Sequence, residues 1–331
     1  MTRENVPVGA AFFPVSTPVE TRSFQFLLLP EFTLSAFSSA VDTLRIANQL
    51  SQQPLFAWTV LSENGRAVAA SCGVEVAASG SLGDRSKSDY IIICSGNNGA
   101  AAASDKTITE IRKHARFGGK YGSVCTGATT LARAGLLNNR RFTLHWENQP
   151  AFREMFPNLD PSLNNFEVDD DLITSGGGAA AGDMMIDFIE KSFGQYFAHM
   201  VADMSLRGAG KPQGQPQRSS VALSLSTRNQ RLIDIVMAMQ ENIETPYSID
   251  DLAEMTGYSR RQIERQFQIH MNSTPYAFYK NLRLDRARSL MVETNLSVSE
   301  IAAATGFVSP SHFSQLFKQR FGSSPAKLRP R

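Results

Sequence analysis

The sequence predicts two folding units of different class: an α/β unit built on a mostly parallel sheet, then an all-helical unit built from a duplicated pair of helices. Three observations predict this. Short apolar runs alternate with amphipathic stretches over the first two-thirds of the chain. A tract rich in Gly, Pro, Gln and Ser follows at residues 208–220, GAGKPQGQPQRSS. Beyond it Pro becomes sparse and one pattern occurs twice, at an offset of 49 residues. A length of 331 residues suits two domains, and 42% hydrophobic with 19% charged residues excludes a wholly disordered chain.

Residues 24–29, FQFLLL, read as a strand closed by Pro30. Residues 34–50 then carry helical spacing, with Leu34, Phe37, Val41, Leu44 and Ile46 apolar. Strands at 56–61 and 90–94 follow, the second ending in the turn-forming run Ser95-Gly96-Asn97-Asn98-Gly99, and 107–114 reads as a helix. A strand at 121–124 enters Cys125 and a helix at 126–137. Short strands at 142–145, 166–168 and 172–175 precede a long helix from Ala179 to about Leu206. Continuous apolar strands alternating with helices indicate a sheet covered on both faces. The α/β unit is placed at 20–206, a flexible linker at 207–227, and the helical unit at 228–331. So polar a linker cannot bury enough apolar area to offset its ordering entropy.

In the helical unit, residues 248–258 (SIDDLAEMTGY) align with 297–307 (SVSEIAAATGF). After one inserted residue, 259–275 align with 309–325. Each copy is a short helix, a Thr-Gly-aromatic turn and a second helix opened by Ser259 or Ser309, which makes two helix-turn-helix units at about 249–268 and 298–319. With Ile263, Phe267, Phe313 and Phe317 facing the core, the outward stripes are Arg261, Glu264, Arg265 and Gln268 in the first copy. In the second they are Ser311, Ser314, Gln315 and Lys318. The second helix of such a unit lies in the DNA major groove, where Arg reads guanine, Gln adenine and Glu cytosine. Residues 259–331 hold 12 Lys+Arg against 4 Asp+Glu, inside a chain whose net charge is only +2. The basic end therefore predicts duplex DNA as its partner. Lys280, Arg283, Arg286, Arg288, Lys318, Arg320, Lys327 and Arg329 are candidates for phosphate contact.

Residues 228–330 resemble the AraC/XylS family of transcription regulators, notably in the ending Gly306-Phe307…Phe313-Ser314-Gln315-Leu316-Phe317-Lys318…Phe321-Gly322-Ser323-Ser324-Pro325. Pro310 and Gln315 depart from the basic or amide residues common there. The resemblance implies two rigidly spaced units in successive major grooves of promoter DNA, activation rather than repression, and RNA polymerase as a further partner.

In the front unit, Gly122-Ser123-Val124-Cys125-Thr126-Gly127 has the pattern of a nucleophile elbow, a side chain standing at a helix N-terminus whose dipole lowers a thiol pKa. His145 follows twenty residues later, so a nucleophile–base pair is one reading. With Ala132-Arg133-Ala134-Gly135-Leu136-Leu137, Thr143-Leu144-His145-Trp146 and Thr174-Ser175-Gly176-Gly177-Gly178, residues 24–189 resemble the PfpI branch of the class I glutamine amidotransferase-like superfamily, of flavodoxin-like architecture. More closely, the whole chain resembles GlxA-like regulators, which join such a domain to an AraC-type one. PfpI-type enzymes use a Glu early in the helix after the first strand; here Glu31 precedes that helix and Asp42 lies two turns on. The resemblance therefore implies a receptor and not an enzyme. A thiol redox sensor and a Cys-dependent hydrolase or lyase are the alternatives.

Ligands of open parallel sheets bind beyond the strands' carboxyl ends. That points to Glu31, Phe32, Thr33, Asn97, Cys125, Thr126, His145 and Trp146 as lining. An aromatic near a carboxylate suits a cation. GlxA-like relatives imply an amino-acid or quaternary ammonium effector and a homodimer formed through the α/β unit. No cofactor or metal site is expected, since the histidines are scattered and the three cysteines unpaired in spacing. That cysteine usage, with no apolar run of membrane-spanning length and no secretory signal, predicts a reducing cytoplasm and no membrane partner.

Overall fold

The computed structural model describes residues 5–15, 20–84, 88–206, 213–214, 216–217 and 229–328. The chain divides into two compact units, Met1–Gln217 and Arg218–Arg331.

The first unit is built on β1 (Arg22–Leu28), β2 (Phe56–Ser62), β5 (Gly80–Ser81), β6 (Tyr90–Cys94), β7 (Lys120–Val124), β8 (Phe166–Asp169) and β9 (Leu172–Ser175). They form one seven-stranded sheet in the order β5-β2-β1-β6-β7-β9-β8, parallel except for β8, which pairs antiparallel with β9 at the edge. β3 (Val68–Ala69) and β4 (Glu75–Val76) make a separate hairpin.

Alternation along the strands sorts side chains to two faces. Phe24, Phe26 and Leu28 of β1, with Tyr90, Ile92 and Cys94 of β6, pack under α1 (Leu34–Ser51), α5 (Ala179–Phe193) and α6 (Gln195–Met204). Leu27, Leu29, Ile91 and Ile93 pack on the other face with α2 (Asp105–Arg116), α3 (Ala128–Arg133) and α4 (Gln149–Met155). Every one of these strand residues is buried, which is why the strands read as unbroken apolar runs. The expected strand at 142–145 is instead an irregular segment: Thr143 makes one bridge to Ser162, and its N–H donates to the Thr174 hydroxyl at 2.9 Å. The long helix expected from Ala179 breaks at Gly194, whose φ of 87° ends α5 and starts α6. Among the described residues no helix is long and apolar enough to cross a membrane.

The second unit is helical throughout its described residues: α7 (Gln230–Glu241), α8 (Ile249–Thr256), α9 (Arg260–Met271), α10 (Pro275–Glu293), α11 (Val298–Ala304), α12 (Pro310–Phe321) and α13 (Pro325–Leu328). Ser248, Ser259 and Ser297 each close a capping box, with Asp251, Gln262 and Glu300 returning the bond. Ser309 caps α12 by accepting from His312 N–H. Gly257 and Gly306 take φ of 67° and 70° in the two turns, conformations that favour glycine.

The duplication extends further than the two turns. α7 and α10 repeat at an offset of 52, with Arg231-Leu232 and Met239 matching Arg283-Leu284 and Met291. The loop after α7 is three residues longer than that after α10, so the shift hides this part of the repeat at an offset of 49. Each supporting helix lays an Arg on the turn aromatic of its own unit: Arg231 over Tyr258 at 5.1 Å, Arg283 over Phe307 at 4.1 Å.

Candidate functional site

Each unit carries a candidate site. In the first, strand register places Leu28, Cys94, Val124 and Ser175 in one row across the sheet. The residues that follow therefore converge at the carboxyl edge. Phe32 bridges to Gly96 and Ala70, and a Cβ on Gly96 would overlap the Glu31 carbonyl, so the two loops touch through backbone. Thr126 donates its hydroxyl to Gly96 O at 2.6 Å. Asn98 donates to the Glu31 carboxylate at 3.1 Å, and Asn97 is exposed beside it. Phe32 differs from expectation: it is fully buried against Phe37, so it is core and does not line a ligand site.

Cys125 has the elbow geometry. Its φ is 58°, its N–H donates to Ser175 O at 3.0 Å, and its carbonyl accepts from His145 N–H at 3.2 Å. The side chain is nearly enclosed, and a Cβ on Gly177 would press on it. Its partner is the Thr33 hydroxyl, 3.2 Å from Sγ, and not a carboxylate or imidazole. Burial pushes the thiol pKa up, against the smaller effect of the Thr33 bond. The lowered pKa expected from a helix N-terminus is thus corrected. α3 begins only at Ala128, three residues past the thiol, and desolvation outweighs any dipole. His145 faces elsewhere: Nδ1 lies 4.0 Å from Glu147 Oε2 and the ring packs on Trp146 at 5.6 Å. Burial depresses its pKa below the ordinary histidine value, which keeps the imidazole neutral at neutral pH.

A cleft of about 220 Å³ opens beside this elbow. His145, Trp146, Gly176 and Gly177 line it as the sequence suggests, together with Asn165, Asp183 and Gln217, which sequence reading does not find. Asn165 and Asp183 are each 7% exposed. Among the described residues the Asn165 amide nitrogen has no hydrogen-bond partner, a donor costly to bury unless something accepts from it. Trp146 is 40% exposed and stands at the rim, not in the core. The cleft thus pairs a carboxylate and an amide donor with an aromatic wall, a set suited to a small zwitterion.

In the second unit, Ile263, Phe267, Phe313 and Phe317 are wholly buried. The opposite faces of α9 and α12 present Arg261, Glu264, Arg265, Gln268, Ser311, Gln315 and Lys318 as exposed side chains; Ser314 is half-buried. Arg260, one position off the stripe, is held in a two-pronged bond to Asp250. Two phosphate candidates are committed elsewhere. Arg283 donates from Nε to Thr305 O at 2.8 Å and from a terminal nitrogen to Gly306 O at 2.5 Å. Arg320 grips Asp285 at 2.7–2.9 Å. Arg329 lies outside the described residues.

Comparison with known proteins agrees with both units. A family described as DJ-1/PfpI matches residues 26–191, and one described as a helix-turn-helix domain matches residues 252–331. The chain is 40% identical over 309 residues to the HTH-type transcriptional regulator CdhR of Pseudomonas aeruginosa, covering 93% of this chain and 92% of that one. It is 37% identical to the HTH-type transcriptional regulator GlxA of Rhizobium meliloti, over 92% of this chain and 95% of the other. A ThiJ/PfpI family protein of Pseudomonas syringae, 18% identical with a TM-score of 0.52 over 68% of this chain and 91% of its own, shares the fold. With sequence likeness of this degree over nearly its whole length, the chain belongs to the HTH-type transcriptional regulators that join a DJ-1/PfpI domain to an AraC-type DNA-binding domain.

Proposed function

We propose that the protein is a one-component activator of transcription. A small amino-acid or quaternary ammonium metabolite binds the cleft of the α/β unit, and the two recognition helices read a promoter. The observation that carries this reading is the pair of polar stripes on α9 and α12, exposed over fully buried aromatic faces. Helices that packed against further protein would bury such stripes. Homodimerisation through the α/β unit is part of the reading, since one pair of helices contacts a limited stretch of DNA. Contact with RNA polymerase at the promoter completes it. The ligand acts by binding one of two states more tightly than the other.

The test is a thermal-shift screen of the full-length protein against amino acids and betaines, followed by footprinting on its own promoter region with and without each hit. A saturable stabiliser that changes the footprint is expected; no stabiliser in either class overturns the effector assignment. Trp146→Ala should weaken binding of such a ligand by about tenfold, the loss of roughly 1–2 kcal/mol from an aromatic contact with a cation.

Catalysis or thiol sensing would need a reactive Cys125. A buried, raised-pKa thiol held by the Thr33 hydroxyl and the Thr126 backbone, with no base beside it among the described residues, is inert by comparison. Cys125→Ser should therefore retain ligand stabilisation and promoter binding within about twofold, since the hydroxyl is close to the thiol in size and can keep the bond to Thr33. Loss of the ligand response, or a response of the wild type to mild oxidant that the variant lacks, would favour the redox alternative.

A further inference from the structure

The cleft is partly filled from within the chain. Gln217 stands within the tract that the sequence marks as a tether and is the last residue of the first unit. Its side-chain oxygen accepts from Trp146 N–H at 2.8 Å. Its nitrogen lies within donating distance of Thr143 Oγ1 at 2.9 Å, Leu144 O at 2.8 Å and Asn164 O at 2.9 Å. The flanking backbone is fastened as well. Gln217 N–H donates to Leu163 O at 2.9 Å, Pro216 bridges to Asn164, and Gln213 donates to the buried Glu167 carboxylate at 3.0 Å. Gly176 makes the room, since a Cβ there would overlap the Gln217 amide.

An –NH2 group has two protons, while three oxygens surround this one. Leu144 O also accepts from Gln149 at 3.2 Å and Asn164 O from the Thr143 hydroxyl at 3.1 Å, but each carbonyl has two lone pairs, so acceptor sites still outnumber the two amide protons, with the Trp146 backbone N–H as the donor beside them. An α-amino acid matches that set better than the glutamine does: its ammonium has three N–H donors for the three oxygens, and its carboxylate can accept from Trp146 N–H. The Asn165 amide nitrogen, without a partner among the described residues, is a further donor in the lining of the same cleft. A primary carboxamide fits with one donor fewer. A quaternary ammonium has no N–H to give these oxygens, and leaves Leu144 O and Asn164 O with only Gln149 and the Thr143 hydroxyl as donors.

We propose that Gln217 is an in-chain stand-in for the effector: the inner subsite of the cleft takes an α-amino acid or primary amide head, and the effector competes with Gln217 for it, releasing the segment that leads to the DNA-binding unit. This rests on the reading of the cleft as the sensing site and narrows it to heads with N–H donors. It also explains how an event at a sheet edge reaches a separate unit, because the displaced residue belongs to the connecting chain.

The experiment uses the full-length protein and two variants. Gln217→Ala empties the subsite; Gly176→Ala ejects the glutamine while leaving its four partners in place. Propionamide, which reproduces the lost side chain, is titrated through the millimolar range. It should raise the melting temperature of Gln217→Ala and not of the wild type, and N,N-dimethylpropionamide should do neither. In a promoter reporter without added effector, both variants should shift output in the same direction by about tenfold, the factor that one or two net hydrogen bonds make in a two-state equilibrium. If both variants fold and neither propionamide nor reporter output distinguishes them from wild type, the proposal is overturned. If propionamide fills Gln217→Ala but output is unchanged in both variants, the release step is overturned. If an amino acid stabilises the wild type and moves its output while Gln217→Ala ignores propionamide, sensing stands and the stand-in role fails. If Gln217→Ala is rescued but no amino acid or amide moves wild-type output, competition by an effector fails together with the sensing reading.

Discussion

Arg283→Ala is expected to destabilise the second helix-turn-helix unit by about 3.5 kcal/mol or more and to remove its half of the operator footprint. The side chain leaves the middle of α10 and donates to the carbonyls of Thr305 and Gly306, the end of α11 and the turn after it. Those carbonyls are the negative end of a helix, so a guanidinium is the fitting partner there. Hydrogen bonds to a charged group contribute about 1.5–3 kcal/mol each, and the face of Phe307 at 4.1 Å adds roughly another 0.5–1. The backbone oxygens left behind would not be met by alanine. Burial lowers the pKa of Arg283 from its ordinary value, yet guanidinium keeps its charge throughout the usable pH range. Urea unfolding of the full chain, with footprinting at fixed salt, measures both effects. The phosphate role suggested by sequence makes the opposite forecast: no loss of stability, and a salt slope reduced by about one. Arg283→Lys separates them further, since lysine keeps the charge needed at a phosphate but lacks the two-pronged donor.

The contrast shows which parts of this protein are legible in its sequence. Capping boxes, turn glycines and apolar spacing act within a few residues, so Ser248, Ser259, Ser297 and Ser309 announce the helix starts and Ile263, Phe267, Phe313 and Phe317 the buried faces. The strands of the sheet are legible for the same reason. Arg283 is not, because its partners lie 22 and 23 residues away and only the folded turn presents two carbonyls to it. Asn165 and Asp183 escaped notice because nothing local marks a polar residue as cleft lining. Phe32 misleads for the converse reason: position after a strand suggests a lining residue, but packing turns the ring inward. Gln217 sits in a tract whose composition reads as tether, and its four partners come from two distant loops. The elbow was legible as geometry and misleading as chemistry, since φ at Cys125 follows from the local sequence while its pKa follows from burial by residues far along the chain.

For the DNA-binding unit the sharpest forecast concerns Arg265. It lies at the centre of the exposed stripe on α9, and no carboxylate among the described residues holds it in an ion pair, unlike Arg260 on Asp250 or Arg320 on Asp285. A guanidinium so placed can give two parallel hydrogen bonds to guanine O6 and N7, a contact that discriminates by about 1–3 kcal/mol. Arg265→Ala should then reduce affinity for the native operator by roughly ten- to a hundredfold, while binding to unrelated duplex falls much less. Lys280 makes a useful control. It stands half-buried near the start of α10 with its ammonium 5.9 Å from the Tyr276 ring, off both recognition stripes. As a phosphate contact it should lower affinity for all sequences alike on replacement by Ala, and reduce the slope of log affinity against log salt by about 0.9. Binding titrations of both variants on operator and random duplex, at several salt concentrations, provide the four numbers needed. Equal losses on both DNAs for Arg265→Ala would mean that α9 positions the protein without reading bases, and that discrimination resides in α12 or in the shape of the DNA.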